Sequence, residues 1–226
     1  MFCVVLAEKT WEEVYSKLNQ AKEYTQLFEL RLDYLEEPFG EPLERLLALP
    51  YKFICTFRAR EEGGARAVSF LERLEVLERC ASLGAYLIDL EWKSFLRNRD
   101  RVTKSPFYPD KFLFSYHNFE KTPPITALKR IIKEASYRGI KRLKITTFCQ
   151  SLQESLNLLS LIEYGKAFGL EMIVFGMGGK GRLSRLLSLL LGAPFTYVFP
   201  PGGQPLAPGQ MDILEAKRLF EVLKNV

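Results

Sequence analysis

The chain contains few of the residues on which metal and disulfide sites depend. Its 226 residues include one histidine, His117, and four cysteines, Cys3, Cys55, Cys80 and Cys149. No two cysteines form a CxxC pair, so the sequence predicts neither a zinc site nor a disulfide framework. Cys3 and Cys55 lie within apolar strand-like runs and Cys149 directly follows one, and in such places a free thiol behaves as a small hydrophobic side chain. This use of cysteine is typical of a reducing compartment, and we expect a cytoplasmic protein.

Long apolar runs and one-sided charge are missing as well. No apolar run approaches the roughly 20 residues that a membrane-spanning helix requires. The first residues lack the basic segment of a signal peptide, so the apolar run at 2–7 is expected to form a strand. The 32 basic and 27 acidic residues give a net charge of +5 and are spread along the chain. We therefore expect neither a nucleic-acid nor a membrane partner, whereas an anionic small-molecule substrate fits this charge.

Eight apolar strand-like runs alternate with helix-like segments. The runs span residues 2–7, 28–33, 52–57, 85–92, 111–119, 142–148, 171–177 and 195–199. Such alternation predicts parallel strands joined by right-handed helical crossovers. Eight units in 226 residues predict an α/β fold of the (β/α)8 barrel type, with residues 1–226 in one domain. The main rival, a doubly wound open sheet, usually has a glycine-rich turn after its first strand, and here that turn is AEKT.

Helical periodicity is clearest in the segment 64–83. Apolar residues recur there at steps of three and four: Val68, Leu71, Leu74, Leu77 and Cys80. Glycines follow this and two later helix-like segments: Gly84, Gly139 and Gly169. The pattern predicts helices that end at these glycines.

Polar side chains share one face of several predicted strands. In the run 28–33, Glu29, Arg31 and Asp33 alternate with apolar residues and so point to the same side. That side is expected to face the barrel interior, because charges beneath the helix layer would be unpaired and costly. The same reasoning gathers six residues around one interior: Glu29, Arg31, Arg58, Glu91, His117 and Lys144. Several lie near the C-terminal ends of strands, where barrel enzymes build their active sites.

Each of these residues, taken alone, also fits a structural role. His117 fits a structural residue at a strand end, and Lys144 fits a lysine that faces water at a strand edge. Arg31 with Glu29 fits an ion pair inside the barrel. Taken together, the structural reading requires several strands to bury charge at the same depth without a purpose.

The motifs along the chain resemble those of type I 3-dehydroquinate dehydratases. In order, they are ELRLD (29–33), TFRAREEGG (56–64), SYHNF (115–119), KITTF (144–148), FGMGGKGRLSR (175–185) and APGQ (207–210). The resemblance extends from about residue 2 to residue 220. It implies a (β/α)8 barrel, commonly dimeric, that converts 3-dehydroquinate to 3-dehydroshikimate and water in the shikimate pathway. It also implies an imine mechanism without a metal or a cofactor.

The resemblance assigns three catalytic roles. Lys144 matches the lysine that forms the Schiff base, and a protonated imine is a better electron sink than the ketone when the adjacent proton is removed. His117 matches the general acid and base, since an imidazole that titrates near neutrality can both take and return a proton. Glu62, rather than the adjacent Glu61, matches the carboxylate that orients this histidine.

The resemblance also assigns the substrate-binding residues. They are Glu29, Arg31, Arg58, Met177, Arg185, Tyr197 and Gln210. Arg185 matches the arginine that meets the substrate carboxylate, and a guanidinium fork suits that group. Gln210 matches the glutamine that contacts a ring hydroxyl. Met177 matches an apolar wall near the imine, and Tyr197 stands where the family often has phenylalanine.

The chain departs from the family pattern at a few positions. Phe175 stands where many members have a second methionine, and Leu206 stands where the loop that closes over substrate usually has serine. The preceding loop, PPGGQP at 200–205, is longer than is common. Loop closure excludes water and completes such sites, so this loop is where the contacts of this chain are expected to differ.

Two other functions fit part of the pattern. Another lysine-imine barrel, such as a class I aldolase, would share Lys144 but would not need the RxxxE and SxH motifs. A barrel that only binds an acidic metabolite would keep the buried cations without forming a covalent adduct.

Overall fold

Strands and helices alternate through a computed structural model of the chain, which describes residues 1–225. The chain divides into two compact units. The first unit comprises residues 3–114, and the second comprises residues 1–2 with residues 115–226.

The first unit contains four parallel strands with helices between them. Its elements are β1 (Phe2–Leu6), α1 (Trp11–Ala21), β2 (Leu27–Arg31), α2 (Glu41–Leu47), β3 (Lys52–Thr56), a 3-10 turn (Arg60–Glu62), α3 (Phe70–Ser82), β4 (Leu87–Glu91), α4 (Trp92–Arg97) and α5 (Arg99–Val102). Only the first residue of β1 belongs to the second unit. The strands follow the chain order β1-β2-β3-β4.

The register of these strands aligns polar residues at their C-terminal ends. Arg31 of β2 lies beside Thr56 of β3, and Thr56 lies beside Asp89 of β4. Since neighbouring parallel strands end at the same edge of a sheet, this register gathers charged side chains at one edge of the first unit.

Helix α1 shows how local sequence sets the helices of the first unit. The Thr10 side chain accepts a hydrogen bond from the backbone N–H of Glu13, and the Glu13 carboxylate accepts one from the N–H of Thr10. This capping box satisfies N–H groups that would otherwise lack partners at the start of the helix. The helix then buries one apolar face through Val14, Leu18 and Ala21.

Helix α3 begins later than its periodicity predicts. Ser69 and Glu72 form a capping box that starts the helix at Phe70, so Val68 lies before the helix. Leu71 is exposed, whereas the Leu74 to Cys80 part of the predicted face is buried. The prediction of helix from residue 64 is therefore wrong, because the cap rather than the apolar spacing fixes the helix start.

The second unit contains the remaining strand and helix pairs. Its elements are the end of β5 (Phe112–Asn118), α6 (Ile125–Tyr137), β6 (Arg142–Phe148), α7 (Leu152–Ala167), β7 (Glu171–Met177), α8 (Ser184–Leu190), β8 (Thr196–Phe199), β9 (Met211–Asp212) and α9 (Ile213–Lys224). Strands β5, β6 and β7 are neighbours in that order, and β8 pairs with the short β9. Strands β6 and β7 run parallel, with Lys144 opposite Ile173.

A close backbone contact holds residues 207–210 against the turn after β7. The N–H of Gly178 donates to the carbonyl oxygen of Pro208 at 2.9 Å. A Cβ atom at Gly209 would lie 2.5 Å from the carbonyl oxygen of Gly178. Gly178 and Gly209 both have positive φ, 80° and 77°. Only glycine meets both demands at Gly209, so the APGQ motif is shaped by this contact.

Each of the eight predicted runs contains a strand, and the bounds differ by at most two residues. Helices α3, α6 and α7 are each followed by the glycine that the sequence predicts. Each of these glycines has a positive φ: Gly84, Gly139 and Gly169. Within residues 1–225, no helix has the length and apolar character needed to cross a membrane.

Candidate active site

Arg58 is a buried cation that faces two carboxylates at the strand ends of the first unit. Its Nη1 lies 2.9 Å from Asp89 Oδ1 and 3.7 Å from Glu91 Oε1. The side chain is buried, and burial alone would lower the pKa of Arg58. Asp89 and Glu91 outweigh that effect and raise the pKa, so the guanidinium remains charged.

Arg31 forms a two-pronged ion pair with Asp33. Its Nε and Nη2 lie 2.9 and 2.7 Å from the two carboxylate oxygens of Asp33. Burial opposes the charge on both groups, yet their pairing raises the pKa of Arg31 and lowers the pKa of Asp33. Glu29 instead accepts a hydrogen bond from the Thr56 hydroxyl at 2.7 Å. The alternative of an ion pair between Arg31 and Glu29 is therefore wrong, since Asp33 takes that place.

Glu62 is buried in the 3-10 turn, with 5% of its surface exposed, whereas Glu61 is exposed. Burial raises the pKa of Glu62 to about 7, while Arg58 opposes the rise. Glu91 adds to the rise, and Lys93 opposes it. A carboxyl group with such a pKa exchanges its proton readily at neutral pH, which suits a role in acid and base chemistry.

Two buried carboxylates fix the backbone on either side of Glu62. The N–H of Ala59 donates to Glu91 Oε1 at 2.7 Å, and the N–H of Ala65 donates to Asp33 Oδ2 at 3.0 Å. Hydrogen bonds to charged acceptors are among the stronger ones in proteins. The position of Glu62 therefore depends on carboxylates at the ends of β2 and β4.

Arg73 supports this cluster and is not among the predicted site residues. Its Nη1 lies 2.9 Å from Glu91 Oε2 and donates to the carbonyl oxygen of Phe57 at 3.1 Å. Arg73 is buried beside Leu74 on the packed face of α3. The sequence signal for Arg73 was a charged residue on the apolar face of a helix. Because a buried arginine needs a partner, such a residue indicates a nearby acidic group.

In the second unit, Lys144 lies on β6 with its amine against an aromatic ring. The Nζ atom lies 4.0 Å from the ring centroid of Tyr197 on β8. Only 6% of the Lys144 surface is exposed. The Tyr197 ring also packs against Phe175 and Phe195. The amine is thus held away from bulk water, on a surface that favours positive charge at its face.

His117 lies near the C-terminal end of β5 and is buried. Its ring is nearly parallel to that of Phe119, with 5.8 Å between centroids and 14° between planes. This geometry is within the range of offset-stacked aromatic pairs.

Arg185 is a buried cation without a carboxylate partner in the described part of the chain. Its guanidinium lies 4.3 Å from the Phe175 ring centroid, and Nη2 donates weakly to the Pro208 carbonyl oxygen at 3.4 Å. Its Nε makes no hydrogen bond within residues 1–225. Burial, with a smaller contribution from Arg182, lowers the pKa of Arg185 to about 9. A buried guanidinium in this state gains stability when it binds an anion.

Gln210 and Met177 are also buried in the second unit. Gln210 Oε1 accepts a hydrogen bond from the backbone N–H of Leu206 at 2.8 Å. The 200–206 loop is therefore tied to Gln210 through the backbone, and the change from serine to leucine at 206 leaves this bond in place. The Leu206 side chain is 37% exposed.

The structure thus forms two sets of predicted residues, one in each unit. Glu29, Arg31, Arg58 and Glu62 belong to the first. Carboxylates at or near the strand ends hold Arg31, Arg58 and the backbone around Glu62, and the Thr56 hydroxyl holds Glu29. Lys144, His117, Met177, Arg185, Tyr197 and Gln210 belong to the second. Across residues 1–225, no group of three or more histidine, cysteine, aspartate or glutamate side chains is arranged to hold a metal ion.

The model of the Type I 3-dehydroquinase family matches residues 2–226. The chain belongs to the type I 3-dehydroquinase family. The family resemblance drawn from the six motifs is therefore confirmed, as is the predicted activity class, a hydro-lyase acting on 3-dehydroquinate, at the level of the family.

Relatives from several organisms carry the same name. A 3-dehydroquinate dehydratase of Thermococcus onnurineus is 37% identical over 97% of this chain and 96% of its own length. One from Methanococcus maripaludis is 32% identical, with both chains covered in full. Among solved structures, the 3-dehydroquinate dehydratase of Geobacillus kaustophilus matches with a TM-score of 0.87 at 22% identity, over 99% of this chain and 91% of that one.

The structural match confirms the predicted fold class. The solved type I dehydroquinases are (β/α)8 barrels, and the chain shares their fold over almost its whole length. A match of the fold does not assign a role to any single residue of this dehydroquinase.

Proposed function

We propose that this type I dehydroquinase dehydrates 3-dehydroquinate through an imine on Lys144. The observation that supports this most directly is the buried amine 4.0 Å from the face of Tyr197. The ring face favours the positive charge of a protonated imine, and burial keeps water from competing with the substrate carbonyl. The imine itself is the proposal.

The reaction proceeds in three steps. The Lys144 amine adds to the ketone carbon and one water leaves, which gives the protonated imine. His117 removes the proton at C2, the electron pair forms the new double bond, and the C1 hydroxyl leaves as water with a proton from the imidazole. Water then adds to the imine carbon, the C–N bond breaks, and the amine and the product ketone are restored. The net change is the loss of one water.

Arg185 is proposed to bind the substrate carboxylate. It is a buried cation with no carboxylate partner in the described residues, so an incoming carboxylate supplies the charge it lacks. In contrast, Arg31 and Arg58 already have carboxylate partners. We propose that Arg31, Arg58 and Glu29 form hydrogen bonds to polar groups of the substrate. Their partners hold these side chains in a fixed orientation for that contact.

Glu62 is proposed to orient the His117 imidazole. Its burial and its pKa of about 7 suit a carboxyl group that shares a proton with an imidazole. Three more residues complete the proposed site. Met177 forms an apolar wall, the Tyr197 ring lies beside the imine, and Gln210 contacts a hydroxyl group of the substrate.

We also propose the finer properties that the resemblance implies. These are a homodimer, a cytoplasmic location, a single domain over residues 1–226 and catalysis without a cofactor. Light scattering coupled to size exclusion measures the first directly, and a monomer that is fully active would contradict it.

The test of the activity follows the enone absorbance of the product while the protein is incubated with 3-dehydroquinate. The wild-type protein should produce the absorbance, and Lys144→Ala should not. Arg142→Ala, which changes a partly exposed cation on the same strand, is the matched control and should remain active. A folded wild-type protein that gives no absorbance would contradict the proposal.

A further inference from the structure

Phe119 has no assigned role, yet it lies on the ring of the single histidine. The two rings are 14° from parallel, with 5.8 Å between their centroids. Phe119 is 47% exposed, whereas His117 is 8% exposed. An aromatic side chain left half in water gains only part of the free energy that full burial provides. Packing alone is therefore a weak reason for phenylalanine at this position.

The backbone that follows Phe119 is held in a turn by the side chain of Asn118. Asn118 Oδ1 accepts hydrogen bonds from the N–H groups of Glu120 and Lys121, at 3.1 and 3.0 Å. This turn holds the chain immediately after Phe119, because the Asn side chain replaces a backbone acceptor.

A second anchor ties the same loop to the end of β6. The Thr122 hydroxyl lies 2.8 Å from the Thr147 hydroxyl and 3.0 Å from the Phe148 carbonyl oxygen. Strand β6 also carries Lys144. The aromatic ring is therefore presented from a loop that is anchored to the strand of the proposed imine lysine.

We propose that Phe119 is a positioning residue that fixes the plane of the His117 imidazole. The inference rests on the proposed function, in which His117 moves the proton at C2. A flat ring against one face of the imidazole limits its rotation, and it keeps water from that face. General acid and base catalysis requires the nitrogen to be within hydrogen-bond reach of the proton, so ring orientation affects the rate.

The test compares Phe119→Leu with Phe119→Tyr. Leucine keeps an apolar side chain without a flat face, whereas tyrosine keeps the flat face. Phe119→Leu should lower kcat about 10- to 100-fold with little change in KM, because the imidazole loses the flat contact that fixes the plane of its ring. Phe119→Tyr should keep kcat near the wild-type value. Phe168→Leu is the matched control, since Phe168 is a part-exposed aromatic residue that packs on Tyr164.

The imidazole itself gives a readout that does not depend on activity. The chain has one histidine, so its ring proton resonances are assigned without ambiguity. At one fixed pH, these resonances should move in Phe119→Leu and stay near their wild-type positions in Phe119→Tyr and Phe168→Leu. Thermal unfolding of each variant checks that the fold is intact.

The outcomes separate the inference from the proposed function. If wild-type protein and Phe119→Leu turn over equally, or if the histidine resonances do not respond to Phe119→Leu, the positioning role is wrong while the dehydratase assignment stands. If the wild-type protein shows no turnover, the proposed function fails, and with it the catalytic part of this inference. Loss of turnover in Phe119→Leu with recovery in Phe119→Tyr supports the positioning role.

Discussion

Replacing Glu62 by glutamine should stabilise the protein while it slows turnover. Burial raises the pKa of Glu62 from 4.5 to about 7. Below pH 4.5 the carboxyl group is protonated in both the folded and the unfolded state, so it adds no pH dependence. Between pH 4.5 and 7 the unfolded chain loses this proton and the folded chain keeps it. The free energy of unfolding therefore falls as pH rises through this range.

The size of the effect follows from the two pKa values. At about 1.4 kcal/mol per pH unit, the difference between 4.5 and about 7 costs the folded state about 1 kcal/mol at pH 5 and about 3 kcal/mol at pH 8. Glutamine has no proton to lose, so Glu62→Gln should recover up to these amounts. Turnover should fall, because the proposed orientation of the His117 imidazole by a carboxylate is lost.

The assay is urea unfolding followed by tryptophan fluorescence at pH 5, 6, 7 and 8. Glu61→Gln is the matched control, because Glu61 is exposed and its substitution should leave the pH dependence unchanged. A stability difference between Glu62→Gln and wild type that is constant across these pH values would refute the reasoning. A variant that is less stable than wild type at pH 8 would refute it as well.

Three further predictions concern the second unit. Lys144→Ala should abolish both turnover and covalent adduct, whereas His117→Ala should still form some adduct but turn over very slowly; equal, near-native rates in the two variants would contradict their assigned roles. Arg185→Lys should raise KM for 3-dehydroquinate, because a lysine cannot form the two-pronged contact with a carboxylate. The loss in apparent binding free energy should be on the order of 1.5–3 kcal/mol. An unchanged KM would remove Arg185 from the carboxylate site. Leu206→Ser should change KM or kcat only modestly, because the bond from the Leu206 N–H to Gln210 belongs to the backbone; a large change would mean that the side chain at 206 makes a direct contact.

The strands could be predicted from the sequence because each is a short apolar run, and in several of them polar and apolar residues alternate. Glu29 and Lys144 are buried on the polar face that this alternation predicts. Their apolar neighbours are buried on the opposite face. The period of two fixes the face of each side chain, whatever the surrounding fold. The two-residue strand β9 has no such pattern and could not be found in this way.

Helix starts and ion-pair partners depend on details that periodicity does not contain. The start of α3 was set by Ser69 and Glu72, although the apolar spacing continued through Val68. Arg31 has an acidic residue two positions away on either side, and the strand pattern gives both the same face. Only the chain path beyond the end of β2 selects Asp33 as its partner. The missed Arg73 was similarly hidden, because its partner Glu91 lies on a different element.

The most direct test of the proposed mechanism is mass spectrometry after borohydride reduction in the presence of 3-dehydroquinate. Reduction converts an imine to a stable amine, so the peptide that contains Lys144 should gain the mass of the reduced ligand, and Lys144→Ala should gain none. Substrate turnover without any adduct on Lys144, or an adduct on another lysine that persists in Lys144→Ala, would contradict the account.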